Sequence, residues 1–142
     1  MIFQFYFDIE SGRWQEWREQ VQAFEYDEDE LFDVIIVPTT ETVKQNHILD
    51  LHVKERKPVL YVGTAGTAKT TSIRNYFTTV NKEVVQTATI NFNSYTDSAA
   101  LQFMMEDKVE KRAGRTFGPP PNCILIYFMD DLNMPYVDKY GT

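Results

Sequence analysis

The sequence predicts an α/β protein in which helices form layers on both faces of a parallel sheet, a three-layer αβα sandwich. Apolar runs of strand length alternate with segments of helical periodicity along the chain, and this alternation is typical of such folds. The run from Ile124 to Met129 is apolar or aromatic at every position, as expected for a strand that is buried on both faces. A glycine-containing turn from Gly63 to Thr70 lies between an apolar run and a helical segment, which is the order of a strand, turn and helix in a parallel-sheet crossover.

Residues 1–54 predict two strands and two helices. Residues 3–7 are apolar and predict a strand, and Trp14, Trp17 and Val21 have the spacing of a short helix. Residues 32–37 predict a second strand.

Pro38 is expected to stop that second strand, and Thr39 or Thr40 can cap a helix that continues to about Lys54. The inward stripe expected for this helix is Val43, His47, Ile48 and Leu51.

Five further elements follow in order. Residues 59–62 predict the strand before the turn, 69–79 the helix after it and 84–92 the next strand. A helix over 96–113 is predicted from a capping box of Ser94 with Asp97 and an end at Gly114, and the proline-rich residues 115–122 predict a stiff exposed loop before the last strand. The inward side chains expected on the two helices are Ile73, Tyr76 or Phe77, Val80, Leu101, Met104, Met105 and Val109.

The turn itself nearly matches the phosphate-binding pattern of glycine, four residues, glycine, lysine and then serine or threonine. In such a loop, backbone N–H groups and the positive end of the next helix hold a phosphate. Lys69 would reach the outer phosphates of a nucleotide, and the Thr70 hydroxyl would ligate Mg²⁺. The residues expected to bind the nucleotide are Gly63, Thr64, Ala65, Gly66, Thr67, Ala68, Lys69, Thr70 and Thr71.

Ala68 departs from the pattern, which has glycine before the lysine. If this residue needs a positive φ, its methyl group costs about 1 kcal/mol. Alternatively, Gly63 and Gly66 form the tight part of the turn and Ala68 already belongs to the first turn of the helix. A crossover that binds no ligand is the competing interpretation of the motif.

Two acids, Asp130 and Asp131, follow the last apolar run. Carboxylates at the carboxyl end of a parallel strand lie where open α/β sheets bind ligands. We expect Asp130 to hold Mg²⁺, directly or through water, and Asp131 to orient an attacking water. Such a run with two acids is by itself typical of a strand end that enters a solvated turn, but together with the phosphate-binding pattern it favours a nucleoside triphosphatase.

Composition limits the other possibilities. With 142 residues, 43% of them hydrophobic, the chain is long enough for one domain with a core. The net charge of −7 and the lack of a basic, aromatic-rich face argue against nucleic-acid binding. No apolar run reaches 18 residues, so no membrane span is predicted. A small GTPase would need an Asn-Lys-x-Asp motif, and a small-molecule kinase a basic lid; neither is found.

These motifs together resemble the third AAA+ module of an axonemal dynein heavy chain. The resemblance rests on GTAGTAKT at 63–70 and YFMDDLNMPYVDKYGT at 127–142, with DVIIVPTTETV at 33–43 and the segments 110–112 and 118–120. It implies an AAA+ P-loop NTPase fold with sheet order fifth, first, fourth, third, second. The predicted strands before the turn, at 84–92 and at Ile124 correspond to the first, second and third.

The fold is therefore predicted to be incomplete, because the later strands and the helical lid are not found in the sequence. Residues 1–30 would connect from the preceding module, and residues 31–142 would form a partial AAA+ nucleotide-binding core. The chain is accordingly interpreted as a fragment of a much longer protein. Unpaired strand edges would make it prone to aggregation in isolation.

The resemblance further implies ATP and Mg²⁺ as cofactors, with Lys69 and Asp131 catalytic and Thr70 and Asp130 at the metal. The whole heavy chain would be an ATP-driven, minus-end-directed microtubule motor in the cytoskeleton, at the axoneme of cilia and flagella. Its implied partners are the other AAA+ modules of the same chain, dynein intermediate and light chains, and microtubules, with no nucleic acid and no membrane. Ile36 and Val37 would lie near the adenine. Asn91 would be the polar residue that restrains the catalytic acid.

Three functional interpretations stay open. Most active AAA+ sites have glutamate at the position of Asp131. The aspartate side chain is shorter than that of glutamate by one C–C bond, roughly 1.5 Å. A catalytic group misplaced by about 1 Å can slow a reaction about 100-fold. The module could therefore hydrolyse ATP, hold nucleotide in a regulatory role with little hydrolysis, or, as an isolated inactive fragment, lack a stable site. Whether the isolated chain is an enzyme is left open.

Overall fold

The computed structural model describes residues 2–24 and 35–137. The chain divides into two compact units, residues 1–78 and 79–142, and each unit is described by itself. Three expectations lie wholly or partly outside the described residues: the start of the strand predicted at 32–37, the domain boundary at residue 30, and the last five residues of the segment 127–142 that carries the resemblance. Residues 35–37 are described and are not part of a strand.

The first unit begins with a β-hairpin. Strand β1 (Phe5–Asp8) pairs with strand β2 (Arg13–Glu16) in antiparallel register, and short 3₁₀ turns at Ile2–Gln4 and Trp17–Gln20 flank the pair. The helix predicted from the spacing of the two tryptophans and Val21 is therefore wrong. Gly12 adopts a φ of 66° in the connecting turn, which glycine does without steric cost, and this turn returns the chain into β2.

Helix α1 (Thr40–Lys54) begins where the sequence predicts. The Thr39 hydroxyl accepts from the Thr42 amide, and Thr42 accepts from the Thr39 amide, so the two threonines form a reciprocal cap. The predicted inward stripe is partly wrong, because Leu49 is the buried residue of this helix, whereas Ile48 and Leu51 are about half exposed.

The hairpin explains which face of α1 is covered. Tyr6 stacks on the buried Trp17 with ring centroids 4.4 Å apart, and His47 of α1 lies against both rings, at 5.5 Å and 5.1 Å. The face of α1 that carries His47 therefore packs on aromatic side chains from the hairpin.

The strand predicted at residues 59–62 is not formed. Residues 57–64 have no regular secondary structure, and Leu60 and Val62 are 72% and 85% exposed. A strand requires a partner for its backbone hydrogen bonds, and within the described part of the chain this segment makes no strand pairing. In the sheet order implied by the resemblance, its two neighbours are the fourth and fifth strands, which were not found in the sequence.

Helix α2 (Lys69–Thr79) has the predicted bounds and buries Ile73 and Tyr76. The Tyr76 hydroxyl donates to Asp50 Oδ1 at 3.2 Å, and the Lys54 ammonium lies 2.6 Å from Asp50 Oδ2. This carboxylate therefore connects the two helices of the first unit.

The second unit contains a parallel pair of strands. Strand β3 (Val85–Asn91) pairs with strand β6 (Ile124–Asp130) in parallel over seven residues, from Val85 opposite Ile124 to Asn91 opposite Asp130. Both strands were predicted, and their pairing confirms the parallel sheet. Three side chains of these strands are buried, Ala88, Ile90 and Phe128, and so is Phe92, which follows β3.

Between these strands the sequence prediction needs correction. Helix α3 (Ser98–Glu106) is shorter than the helix predicted over 96–113, and its cap is Asp97, whose carboxylate accepts from the Ala100 amide at 2.7 Å. Ser94 takes no part in this cap. The residues after α3 instead form a small hairpin of strands β4 (Glu110–Lys111) and β5 (Phe117–Gly118).

The hairpin of β4 and β5 forms because Gly114 adopts a φ of 61° and the Arg112 amide donates to Thr116 O at 2.8 Å. The inward residues predicted for the longer helix, Leu101, Met104, Met105 and Val109, are half-buried. On β6, the Tyr127 hydroxyl donates to Met105 O at 2.7 Å and connects α3 with the sheet.

The described elements form an incomplete α/β arrangement, with a two-stranded parallel sheet and helices, as the sequence predicts. Among the residues that the structure describes, no helix is both long enough and apolar enough to cross a bilayer.

The contact of Tyr76 with Asp50 predicts a pH dependence of stability. Burial, together with the neighbouring carboxylate, raises the pKa of Tyr76 from 10.0 to about 12. Because the pKa of Tyr76 is higher in the folded chain than in the unfolded chain, the contribution of its protonated hydroxyl to stability is fully present below pH 10 and is lost as the pH rises through 12. Since one pKa unit corresponds to about 1.4 kcal/mol, we expect Tyr76→Phe to remove about 2–3 kcal/mol of this alkaline loss, measured by urea unfolding at several pH values with tryptophan fluorescence.

The matched control is Tyr95→Phe, because Tyr95 is 90% exposed. That variant should keep the alkaline loss of the original chain. An equal alkaline loss in the chain with Tyr76→Phe would contradict the assignment to Tyr76.

Candidate phosphate-binding site

The turn between Gly63 and helix α2 is formed by two residues with positive φ. Gly66 has a φ of 79° and Ala68 a φ of 56°, whereas Gly63 is not among the residues with positive φ. The expectation that Ala68 belongs to the first helical turn is therefore wrong. Ala68 is left-handed, and its carbonyl accepts the Ser72 amide at 2.9 Å, which is the first hydrogen bond of α2. An alanine in this conformation costs about 1–2 kcal/mol relative to the usual right-handed backbone.

The Lys69 side chain folds back onto this loop. Its ammonium donates to Gly63 O at 2.9 Å, to Thr64 O at 2.6 Å and to Thr67 Oγ1 at 3.1 Å. A positive charge is thereby held within the loop, at the N-terminus of a helix, where the macrodipole also favours an anion.

The backbone amides of the loop are available to a ligand. Residues 63–68 are exposed, and within the described part of the chain no acceptor is recorded for the amides of residues 64–68. Thr70 and Thr71 lie in the first turn of α2, with Thr70 half-buried and Thr71 exposed. Exposed amides, a helix N-terminus and a lysine ammonium together suit a phosphate group.

The two acids lie at the carboxyl end of β6. Asp130 is the last residue of the strand and half-buried, and it is the register partner of Asn91 at the end of β3. Asp131 is exposed and left-handed with a φ of 55°, and its amide donates to Asp130 Oδ1 at 3.1 Å. Carboxylate oxygens in this position suit a hard cation such as Mg²⁺.

The loop and the acids belong to different units, since residues 63–71 are in the first and Asp130 and Asp131 in the second. Ile36 and Val37 lie in the first unit, half-buried and exposed respectively. Within the second unit, the strand register brings the Asn91 and Asp130 positions together. Thr67 was predicted as one of the nucleotide-binding residues. The contact of its hydroxyl with Lys69 could not be found from the pattern, because the pattern leaves this position variable.

Comparison with known proteins agrees with these features. Residues 24–142 match the family described as the P-loop containing dynein motor region. Dynein axonemal heavy chain 9 of Homo sapiens is 40% identical over 141 residues, as is the Dynein-1-alpha heavy chain of the flagellar inner arm I1 complex of Chlamydomonas reinhardtii. The ciliary Dynein beta chain of Heliocidaris crassispina is 38% identical over the same length. Each alignment covers 99% of this chain and 3% of the relative.

The loop, the following helix and the parallel sheet define a P-loop protein, a class that binds nucleotides. The match over residues 24–142 is more specific: the chain belongs to the family of P-loop containing dynein motor regions. It spans about 3% of the length of the heavy chains that it resembles.

The left-handed Ala68 predicts that glycine is the better residue at this position. Ala68→Gly removes the steric cost of the positive φ, and part of that gain is offset by the larger backbone entropy of glycine in the unfolded chain. We expect the free energy of unfolding to rise by about 0.5–1 kcal/mol, measured by urea unfolding.

Ala65→Gly is the matched control, because Ala65 lies in the same loop and is not among the residues with positive φ. This variant should only destabilise the chain. Equal destabilisation by both substitutions would mean that Ala68 carries no backbone strain.

Proposed function

We propose that this chain is the nucleotide-binding part of the third AAA+ module of an axonemal dynein heavy chain, and that it holds ATP with Mg²⁺ at residues 63–71. The observation that carries the proposal is the loop itself, in which exposed amides surround an ammonium held at the start of α2. The family match and the axonemal relatives support the kind of protein.

Each site residue has a proposed role that follows from its chemistry. The Lys69 ammonium binds the outer phosphates, and the loop amides from Gly63 to Thr71 bind the phosphate oxygens. The Thr70 hydroxyl in the first unit and the Asp130 carboxylate in the second are each proposed as ligands for Mg²⁺, and Asp131 is proposed as the residue that orients the attacking water. When bound, the metal neutralises phosphate charge and so favours transfer to water.

A second candidate function is supported by the backbone at Asp131. Its left-handed φ of 55° fixes where its short side chain begins, and an aspartate there reaches less far than the glutamate of most active AAA+ sites. Slow hydrolysis follows if the carboxylate does not reach the attacking water. The module would then hold nucleotide and bias another site in the same heavy chain, which is a coupling between two sites.

The wider setting is proposed from the relatives. Their names place them in axonemes, cilia or a flagellar inner arm, so we propose a ciliary axoneme location and a role in an ATP-driven, minus-end-directed microtubule motor. The partners would be the other AAA+ modules, intermediate and light chains, and microtubules. Within the chain, residues 1–30 would connect from the preceding module and residues 31–142 would form the partial core.

Replacing the lysine tests nucleotide binding directly. Lys69→Ala removes a charged donor to the phosphates, so we expect the affinity for Mg·ATP to fall by about 10- to 100-fold, measured by titration with a fluorescent ATP analogue. Lys57→Ala is the control, since Lys57 is exposed and lies outside the loop. Equal affinity in the chains with Lys69→Ala and Lys57→Ala would contradict nucleotide binding at this loop.

Asp131→Asn, made in the complete heavy chain and measured by Mg²⁺-dependent ATP turnover and by bound nucleotide, separates the two functions. If this module hydrolyses ATP, the substitution lowers its Mg²⁺-dependent turnover while bound nucleotide is retained. If the module only holds nucleotide, neither turnover nor bound nucleotide changes.

A further inference from the structure

The oxygens around Lys69 use every donor of its ammonium. A lysine ammonium has three N–H donors and no acceptor, and the three oxygens within hydrogen-bond distance are Gly63 O, Thr64 O and Thr67 Oγ1. Any anion that the ammonium binds in addition must therefore replace one of these oxygens.

Thr67 differs from the other two acceptors because its oxygen belongs to a side chain that the loop itself orients. The Thr67 hydroxyl donates its proton to Thr64 O at 2.9 Å. A hydroxyl has one donor and two acceptor lone pairs, so with its proton used in this way it faces Lys69 as an acceptor. The orientation of the hydroxyl and the position of the ammonium are thus linked through Thr64 O.

The geometry at Gly63 shows how closely these groups converge. A Cβ atom placed on Gly63 would lie 3.5 Å from Thr67 Oγ1 and 3.8 Å from Lys69 Nζ. By contrast, the Thr64 side chain makes no hydrogen bond with another described residue of this loop. Of two threonines in the same turn, one is therefore built into the lysine contact and the other is not.

We propose that Thr67 is a positioning residue for Lys69: its hydroxyl holds the ammonium beside Gly63, and it is the acceptor that a phosphate oxygen replaces. Of the three bonds to the ammonium, the one to Thr67 is the longest, at 3.1 Å, and a hydroxyl oxygen is a weaker acceptor than a backbone carbonyl, so this bond is the easiest to give up. The replacement by a phosphate rests on the proposed function, whereas the positioning of the lysine without nucleotide does not.

The test measures the reactivity of individual lysines in the full chain without nucleotide, by brief acetylation with acetic anhydride and mass spectrometry. Acylation requires the Lys69 nitrogen to leave its acceptors and lose a proton. Thr67→Val keeps the shape of the side chain but removes the hydroxyl, so we expect acetylation of Lys69 to rise about 2- to 10-fold, the factor that one hydrogen bond contributes. Thr67→Ser keeps the hydroxyl and should leave the acetylation of Lys69 unchanged.

Two internal references and one variant complete the design. Lys57 and Lys82 are exposed and should react equally in all variants, and Thr64→Val should leave the acetylation of Lys69 as in the original chain. Unchanged acetylation of Lys69 with Thr67→Val overturns the proposal, and so does an equal rise with Thr67→Ser. If Thr67→Val prevents folding, Thr67→Ala decides by the same comparison.

Adding Mg·ATP to the original chain separates the two proposals. If a phosphate oxygen replaces the Thr67 hydroxyl, Lys69 should be acetylated equally slowly in the original chain and in the chain with Thr67→Val at saturating Mg·ATP. Faster acetylation with Thr67→Val under these conditions would contradict the replacement. If Mg·ATP does not bind at all, the proposed function fails, but the acetylation of the nucleotide-free chains still decides whether Thr67 positions Lys69.

Discussion

The loop from Gly63 to Lys69 is closed by a single cation. The Lys69 ammonium bonds to the oxygens of Gly63, Thr64 and Thr67, while its backbone begins helix α2. One residue therefore fixes both the curvature of the loop and its attachment to the helix. The hydrogen bonds between a charged donor and these oxygens are of the strong kind, and they help to offset the left-handed backbone of Ala68 just before the lysine. The exposed amides that suit a phosphate depend on this closure.

Each of the two motifs contains one non-glycine residue with a left-handed backbone. Ala68 precedes the lysine of the loop, and Asp131 follows the last residue of β6, and both have a φ near 55°. Non-glycine residues rarely adopt this conformation, and where they do, function is a reasonable hypothesis. The two cases differ in chemistry, since an aspartate tolerates a left-handed backbone better than an alanine. The acidic motif is thus less strained than the loop, and Asp131 can bond locally through its own amide to Asp130.

The sequence predicts the local elements well and the non-local ones less well. The bounds of α2, the cap of α1 at Thr39, and strands β3 and β6 all follow from local patterns of capping and apolar runs. The strand expected at residues 59–62 fails because pairing depends on distant partners rather than on the apolar run. The helix expected over 96–113 is too long because Gly114 and the Arg112 amide close a hairpin that helical periodicity conceals. In the site, the pattern predicts Lys69 and its loop, but not that the lysine is held by Thr67, since a variable position carries no such signal.

Binding of a nucleotide to the loop at the start of α2 would slow the hydrogen exchange of the amides that contact it. The exchange of residues 63–71 would be measured in the full chain with and without Mg·ATP, by mass spectrometry of short peptides. We expect slower exchange that is concentrated in this loop and that is weaker in the chain with Lys69→Ala at the same Mg·ATP concentration. Unchanged exchange in the loop at saturating Mg·ATP, or protection of equal size throughout the chain, would contradict nucleotide binding at this loop.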